Sequence, residues 1–262
     1  MPTEIIRLDL SLRRNSLLGY TLGMAVYTLV IVALYPAFEH SNSLDKLIED
    51  DSTISALFGV TGPISTSGGW LNGNLYANFL PLLMLLLTIG YGAAALAGQD
   101  EDGTLCLIAT LPRRRATIVL EKAAAMALQA AVLAAAVAAC VVVGRWFDLT
   151  TTLGSVVSIS ATTLLLGVDF GLATMAIGAS TGSRSLALGT GTALAVSSYL
   201  LASLASVVSW LHPVRYASPF YWSVANNQVI DGARLGDYAV LTAIALAGLY
   251  ATVTAFQRLD IH

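Results

Sequence analysis

The segment YANFLPLLMLLLTIGYGAAALA, residues 76–97, is the clearest indication of the fold class of this chain. It contains no charged side chain, and it is as long as the run of roughly 20 apolar residues that a helix needs to cross a bilayer. Hydrocarbon offers no water to the backbone N–H and C=O groups, so a lone apolar segment crosses it only as a helix. We therefore predict a membrane-spanning helix here.

Five other windows share this length and apolar character, and together they predict an all-α membrane protein. Hydrophobic residues make up 56% of the 262-residue chain and charged residues 11%, against roughly 25% charge in a typical soluble domain. No long polar block separates the windows, so we predict one membrane domain over residues 1–262. The net charge of −3 gives no support to nucleic-acid binding, which needs a basic face. The six predicted spans are residues 17–38, 76–97, 123–143, 154–180, 186–211 and 237–256.

The distribution of Lys and Arg predicts the orientation in the membrane. Six crossings place nine of the 13 basic residues on one side and four on the other. Cytoplasmic loops are rich in Lys and Arg, so we expect a multi-pass protein of the plasma membrane with both termini in the cytoplasm. The first apolar run exceeds the length of a signal-peptide core and no small-residue cleavage site follows it, so we expect it to be retained. The nine residues are Arg7, Arg13, Arg14, Arg113, Arg114, Arg115, Lys122, Arg184 and Arg258.

Residues 3–16 predict a separate short helix before the first span. One apolar face beside several basic residues suits a helix that lies in the cytoplasmic interface before the chain turns to cross. The alternative is an ordinary basic start to the first span. The apolar face consists of Ile5, Leu8 and Leu12, and the basic residues are Arg7, Arg13 and Arg14.

The most informative connection is GQDEDGTLCLIATLPRRRATIVLEK, residues 98–122, between the second and third windows. An acidic cluster precedes Gly103 and Thr104, and a short apolar helix is predicted from Leu105 to Leu111, ending at Pro112. A short helix with an apolar face and charged flanks is typical of a docking surface. The alternative is that this helix rests against the ends of neighbouring spans and that the arginines set the orientation.

This connection resembles the E-x-G-T-L-x-x-L-x-x-x-P-x-x-R stretch of permease subunits in the ABC-2 family of ATP-binding-cassette exporters. The second leucine of that stretch corresponds approximately to Ile108. The resemblance extends to the short first helix, to the six spans and to the long aromatic segment before the last span. The matching residues are Glu101, Gly103, Thr104, Leu105, Pro112 and Arg115.

The resemblance implies that the connection is a coupling helix seated in a separate ATPase subunit and that residues 3–16 are the elbow helix. The sequence has no G-x-x-x-x-G-K-[ST] phosphate loop, so ATP and Mg would be held by that partner, present in two copies. This chain would then be a transport subunit rather than an enzyme, with no cofactor or metal of its own, paired with an identical or sister permease. The implied coupling residues are Glu101, Gly103, Thr104, Leu105, Leu111, Pro112 and Arg115.

Asp169 is the one acid in the middle of a predicted span. A charge at bilayer depth costs at least about 2.5–3.5 kcal/mol, so such residues face protein or water. Gly167 and Gly171 flank it in a G-x-x-x-G pattern that permits close helix packing. Two interpretations stay open: a polar point on the substrate path or at a subunit interface, or a neutral, hydrogen-bonded residue that ties two helices together.

These features predict a permease subunit that exports a lipophilic or amphipathic compound, such as a drug, an antibiotic or a lipid. Ala-rich spans with few buried charges suit such a cargo better than an ion. The first alternative is a secondary transporter driven by an ion gradient, which would need several buried ionisable groups. The second is a non-transporting membrane scaffold or immunity protein.

Overall fold

The structure is a computed structural model that describes residues 4–38, 66–105, 114–147, 149–205, 208–225, 228 and 232–258. Within these ranges the chain is helical and contains no β-strand. Six helices are long and apolar enough to cross a membrane. The chain is therefore a multi-pass α-helical membrane protein, and the predicted fold class is confirmed at that level.

A short helix, α1, precedes the six long helices, which we call spans 1 to 6. Span 2 contains two π-helical turns, Asn72–Tyr76 and Ala94–Gly98, and span 3 ends in a 3-10 turn. Two short helices, Ser209–Ala217 and Tyr221–Ala225, lie between spans 5 and 6. The bounds are Glu4–Leu12 for α1, then Arg14–Phe38, Ser67–Glu101, Arg115–Phe147, Leu153–Thr181, Arg184–Leu204 and Leu235–Arg258 for spans 1 to 6.

Span 4 is the central helix of the bundle and packs against spans 2, 3, 5 and 6. The most apolar window is 67% buried inside the protein in spans 2 and 4, but 17% buried in spans 1, 5 and 6. The outer spans therefore leave apolar side chains uncovered by protein, among them Leu22, Val26 and Leu246. A bilayer supplies the apolar surroundings that such side chains need.

Glycines allow spans 2 and 4 to approach closely, as small residues do in membrane bundles. A Cβ atom at Gly92 would overlap the carbonyl oxygen of Gly171, and one at Gly167 would overlap Met84. Span 3 also lies close to span 4, because a Cβ at Gly171 would lie 2.5 Å from the Sδ of Met126. The Gly167–Gly171 pair thus packs inside the chain.

A tight turn reverses the chain between spans 4 and 5. Gly182 has a φ of 64°, the left-handed conformation that glycine adopts without a steric penalty. The next residue, Ser183, caps span 5, because its hydroxyl accepts a hydrogen bond from the N–H of Leu186.

Span 2 begins earlier than its predicted window, at Ser67 rather than Tyr76. Residues 67–74 are rich in Gly and Asn, which are weak helix formers, and so they read as a loop in the sequence. Tertiary contacts offset this weakness: the Thr66 hydroxyl caps the helix, and the Trp70 indole donates to the Ile31 carbonyl oxygen at 2.9 Å.

The predicted fifth window, in contrast, extends beyond the C-terminal end of the span 5 helix. It extends to Leu211, whereas the span 5 helix ends at Leu204 and a 3-10 helix begins at Ser209. Hydropathy continues through this break, but Pro213 has no backbone N–H to donate and would disrupt a continuing α-helix.

Candidate functional site

The Lys- and Arg-rich end of the bundle, which we call the basic end, brings together several segments distant in sequence. Ile5 of α1, Leu105, Ile118 of span 3 and Phe256 of span 6 belong to one buried apolar cluster. The end of span 2 and the start of span 5 meet at the same end. The basic end is therefore a packed unit that joins α1 to the ends of several spans.

A cluster of buried polar side chains, which we call the Asp9 cluster, joins α1 to spans 2 and 3. It consists of Asp9, Tyr91, Gln99, Lys122 and Arg13. The Tyr91 hydroxyl donates to Asp9 Oδ2 at 2.5 Å, and Lys122 Nζ lies 3.5 Å from the same oxygen. Lys122 Nζ also donates to Gln99 Oε1 at 2.7 Å. Lys122 is 0% exposed and Asp9 4% exposed, so the two charges compensate each other away from water.

Arg13 completes the Asp9 cluster from the turn between α1 and span 1. Its guanidinium carbon lies 4.6 Å from the centre of the Tyr91 ring, a cation–π arrangement. Burial lowers the pKa of Arg13, while the nearby Tyr91 and Asp9 act in the opposite direction. The arginine therefore belongs to the interior of this cluster rather than to a freely solvated surface.

Asp9 was not among the residues that the sequence singled out. A signal was present, because Asp9 follows Ile5 by one helical turn and so lies on the side of α1 that Ile5 occupies. An acid on an apolar face needs a buried partner. That partner, Lys122, is more than 100 residues away, and no local pattern points to it.

The predicted elbow residues differ in their surroundings. Arg7 and Arg14 are exposed, whereas Arg13 contacts Tyr91. Leu8 and Leu12 are 46% and 70% exposed, so only Ile5 of the predicted apolar face packs into the bundle. The exposed leucines together with basic neighbours fit a helix that lies on a membrane surface, and this placement stays a prediction.

The first half of the predicted coupling motif forms a turn at the end of span 2. Gly103 has a φ of 68°, which favours glycine, and the Thr104 hydroxyl donates to the Gln99 carbonyl oxygen. Leu105 is fully buried in the apolar cluster of the basic end. Glu101 Oε1 accepts a hydrogen bond from the Arg184 backbone N–H at 2.8 Å and so caps the start of span 5.

Arg115 reaches the end of span 6. Its Nη1 donates to the carbonyl oxygens of Phe256 and Gln257 at 3.0 and 3.3 Å, and its guanidinium lies 5.7 Å from the Phe256 ring centre. A cation suits this position, because the last carbonyls of a helix lack partners and carry partial negative charge. Leu111 and Pro112 lie outside the described residues.

Asp169 is buried near the middle of span 4 and 3% exposed. Neither of its carboxyl oxygens has a hydrogen-bond partner among the described residues. The predicted hydrogen bond to a second helix is therefore not seen in this part of the chain. Gly167 and Gly171, the glycines on either side of Asp169 in the sequence, pack against spans 2 and 3.

An apolar groove of about 320 Å³ lies between spans 2 and 5. Its polar features are few: at one margin the Tyr199 hydroxyl donates to Asn78 Oδ1 at 2.9 Å. The sequence did not predict this groove, because a space between helices depends on how they cross. Among its lining residues are Pro81, Leu85, Ile89, Ala195, Val196 and Phe220.

The end opposite the basic end carries a second polar network, which attaches Ser223, Gln228 and Ala233 to span 4. The Thr162 hydroxyl donates to the Ser223 carbonyl oxygen at 2.9 Å, and it also lies 3.4 Å from Gln228 Oε1. Gln228 Nε2 donates to Asp237 Oδ2 at 3.1 Å. One turn before Thr162, the Ser158 hydroxyl accepts from the Ala233 N–H at 2.6 Å.

Comparison of this chain with protein-family models and with curated proteins finds no match.

Proposed function

We propose that this chain is the permease subunit of an ATP-driven exporter of the ABC-2 type, moving a lipophilic or amphipathic compound out of the cytoplasm or the inner leaflet. The proposal rests on the sequence resemblance of residues 101–115. It is supported by one structural observation, which is that residues of this motif are bonded to the ends of other spans at the basic end.

The basic end offers a mechanical connection between the predicted coupling loop and the spans. Glu101 is bonded to the start of span 5, and Arg115 to the end of span 6. Lys122, seven residues beyond Arg115, holds α1 and span 2 through Asp9 and Gln99. A displacement of the loop by a bound ATPase would therefore reach these elements together, because packed interiors transmit strain rather than absorbing it.

The groove between spans 2 and 5 supports the proposed class of cargo. Ligand sites are concave and mostly apolar, with a few polar groups that fix orientation. This groove has that character, with Asn78 and Tyr199 as the polar pair at its margin. An apolar chain or ring would bind there by displacing lipid. The Tyr199 hydroxyl and the Asn78 amide would accept a hydrogen bond from a polar substituent or donate one to it.

The proposal assigns the remaining roles to other subunits. ATP and Mg would bind to a separate ATPase, in two copies, since the chain has no phosphate loop. A second permease, identical or sister, would complete the transport path. The assembly would lie in the plasma membrane with the basic end in the cytoplasm, as the Lys and Arg distribution predicts.

Purification in a mild detergent from the native host tests the proposal. We expect a stable complex that hydrolyses ATP, and we expect Pro112→Ala or Arg115→Ala to reduce the dependence of that hydrolysis on cargo. Arg145→Ala is a matched control, because Arg145 is an exposed arginine at the opposite end, bonded to the Thr151 carbonyl oxygen. Purification of the chain without any ATPase, or equal effects of all three substitutions, would contradict the proposal.

A secondary transporter driven by an ion gradient is the alternative that one observation favours. Asp169 is a buried acid without a protein partner among the described residues, and acids inside membrane spans mark proton relays in pumps and transporters. Transport that persists in vesicles containing this chain alone, and that stops when the proton gradient is dissipated, would support this alternative.

A further inference from the structure

We propose that Asp169 is a proton-binding site inside the bundle. The inference does not depend on the proposed export function, because it rests on the surroundings of one carboxyl group. A carboxyl group at this depth carries no net charge when it holds a proton and a full charge when it releases it.

The position of Asp169 on span 4 separates it from the polar groups at the end of the bundle opposite the basic end. Thr162, which is bonded to the Ser223 carbonyl oxygen there, lies seven residues earlier on the same face, about 10 Å away at 1.5 Å per residue. Leu166, which is fully buried, lies between the two on that face. The carboxyl group is therefore separated from this polar network as well as from water.

The surroundings of Asp169 fit a proton rather than a metal ion. A metal ion would need several oxygen ligands. The described residues contain no group of three His, Cys, Asp or Glu side chains that could hold one. A proton needs neither volume nor further ligands.

A second buried polar side chain lies at the same depth. Gln129 of span 3 is 1% exposed, and neither its amide nitrogen nor its amide oxygen has a partner among the described residues. Met126 packs over Gly171, and spans 3 and 4 run antiparallel, so Gln129 is level with residue 168. Buried polar atoms are nearly always satisfied in folded proteins, so the carboxyl group and the amide at this depth require an explanation, and a bound proton provides one for the carboxyl group.

The other ionisable groups of the surrounding elements leave Asp169 without a counter-charge. No described residue of spans 2, 3, 5 or 6, or of the 218–225 segment, makes an ion pair or a hydrogen bond with it. Without a cation nearby, burial favours the protonated acid. Several of these groups have other partners: Tyr91 and Lys122 contact Asp9, Tyr199 contacts Asn78, Asp237 contacts Gln228, and Tyr238 contacts Ser158. Others lie near the two ends of the bundle, with Glu121, Arg115, Arg184 and Arg258 towards the basic end and Cys140 towards the opposite end. Tyr250 is exposed.

Infrared spectroscopy of the full chain in lipid vesicles tests the occupancy. At neutral pH, where exposed carboxyl groups are ionised, we expect the C=O stretch of one protonated carboxylic acid from within the bundle. Asp169→Asn should remove this band, and Asp102→Asn, a control at an exposed aspartate, should leave it. Absence of the band from the wild type, or its survival in Asp169→Asn, would overturn the proposal.

Discussion

Asp9 and Asp169 are two aspartates buried to nearly the same extent, 4% and 3% exposed, in opposite electrostatic surroundings. Asp9 accepts a hydrogen bond from Tyr91 and faces the Lys122 ammonium group. Asp169 has no partner among the described residues. Burial alone therefore does not define a role: a compensated charge holds helices together, whereas an uncompensated carboxyl group is available for a ligand.

The same contrast separates the basic end from the middle of the bundle. At the basic end, Glu101 and Arg115 bond to the ends of spans 5 and 6, while Lys122 bonds to α1 and span 2. In the middle, span 4 is held mainly by close contacts at glycine, methionine and leucine. Polar bonds thus connect the helix ends, and shape complementarity positions the central helix.

The largest expected effect comes from Lys122→Met, which removes the cation of the Asp9 cluster. Breaking a buried ion pair by removing one partner costs about 3–5 kcal/mol, because the other charge stays buried without compensation. We expect a loss of this size in the free energy of unfolding, measured by denaturant titration in detergent micelles.

The double variant Asp9→Asn/Lys122→Met provides the control for this loss. It removes both charges, so we expect it to recover most of the stability. A double variant as unstable as Lys122→Met alone would show that Lys122 acts through packing rather than through Asp9.

An intermediate effect is expected at the contact between spans 2 and 4. Gly92→Ala places a methyl group against the Gly171 carbonyl oxygen, and overpacking of this kind costs about 1–3 kcal/mol. Gly90→Ala, two residues earlier on span 2, meets open space and should be neutral or slightly stabilising. Thermal unfolding of both variants measures the difference, and equal transition temperatures would argue against close packing of span 4.

A smaller effect is expected at the rim of the basic end, where Glu101 is exposed. Glu101→Ala removes a side-chain cap from the first residue of span 5, and lost caps cost about 1 kcal/mol. Asp102→Ala, also exposed and in the same acidic cluster, is the control. We expect hydrogen exchange to speed up at the start of span 5 in the Glu101 variant alone; the same increase in both would exclude a specific cap.

Much of the fold could be predicted from the sequence, because crossing a bilayer requires long apolar helices. The start of span 2 was missed, since Trp70 and its partner Ile31 are far apart in the chain. The end of span 5 was overestimated, since hydropathy does not mark where an α-helix stops.

The candidate site was less predictable. Asp169 could be recognised as a buried acid from its position in an apolar window, but the absence of a partner among the described residues required the structure. Asp9 was overlooked, because its partners Tyr91 and Lys122 come from two other helices. Pairing between distant residues and the spaces between crossing helices depend on tertiary packing, which a single sequence does not display.

The most direct test of this contrast is the free energy of unfolding of Asp9→Asn and Asp169→Asn, measured side by side in one detergent. We predict a loss of about 3–5 kcal/mol for Asp9→Asn, because Lys122 is left buried without its counter-charge. For Asp169→Asn we predict a loss below about 1.5 kcal/mol, because a neutral amide replaces a neutral carboxyl group of nearly the same volume. Equal losses in the two variants, or a larger loss for Asp169→Asn, would contradict the account.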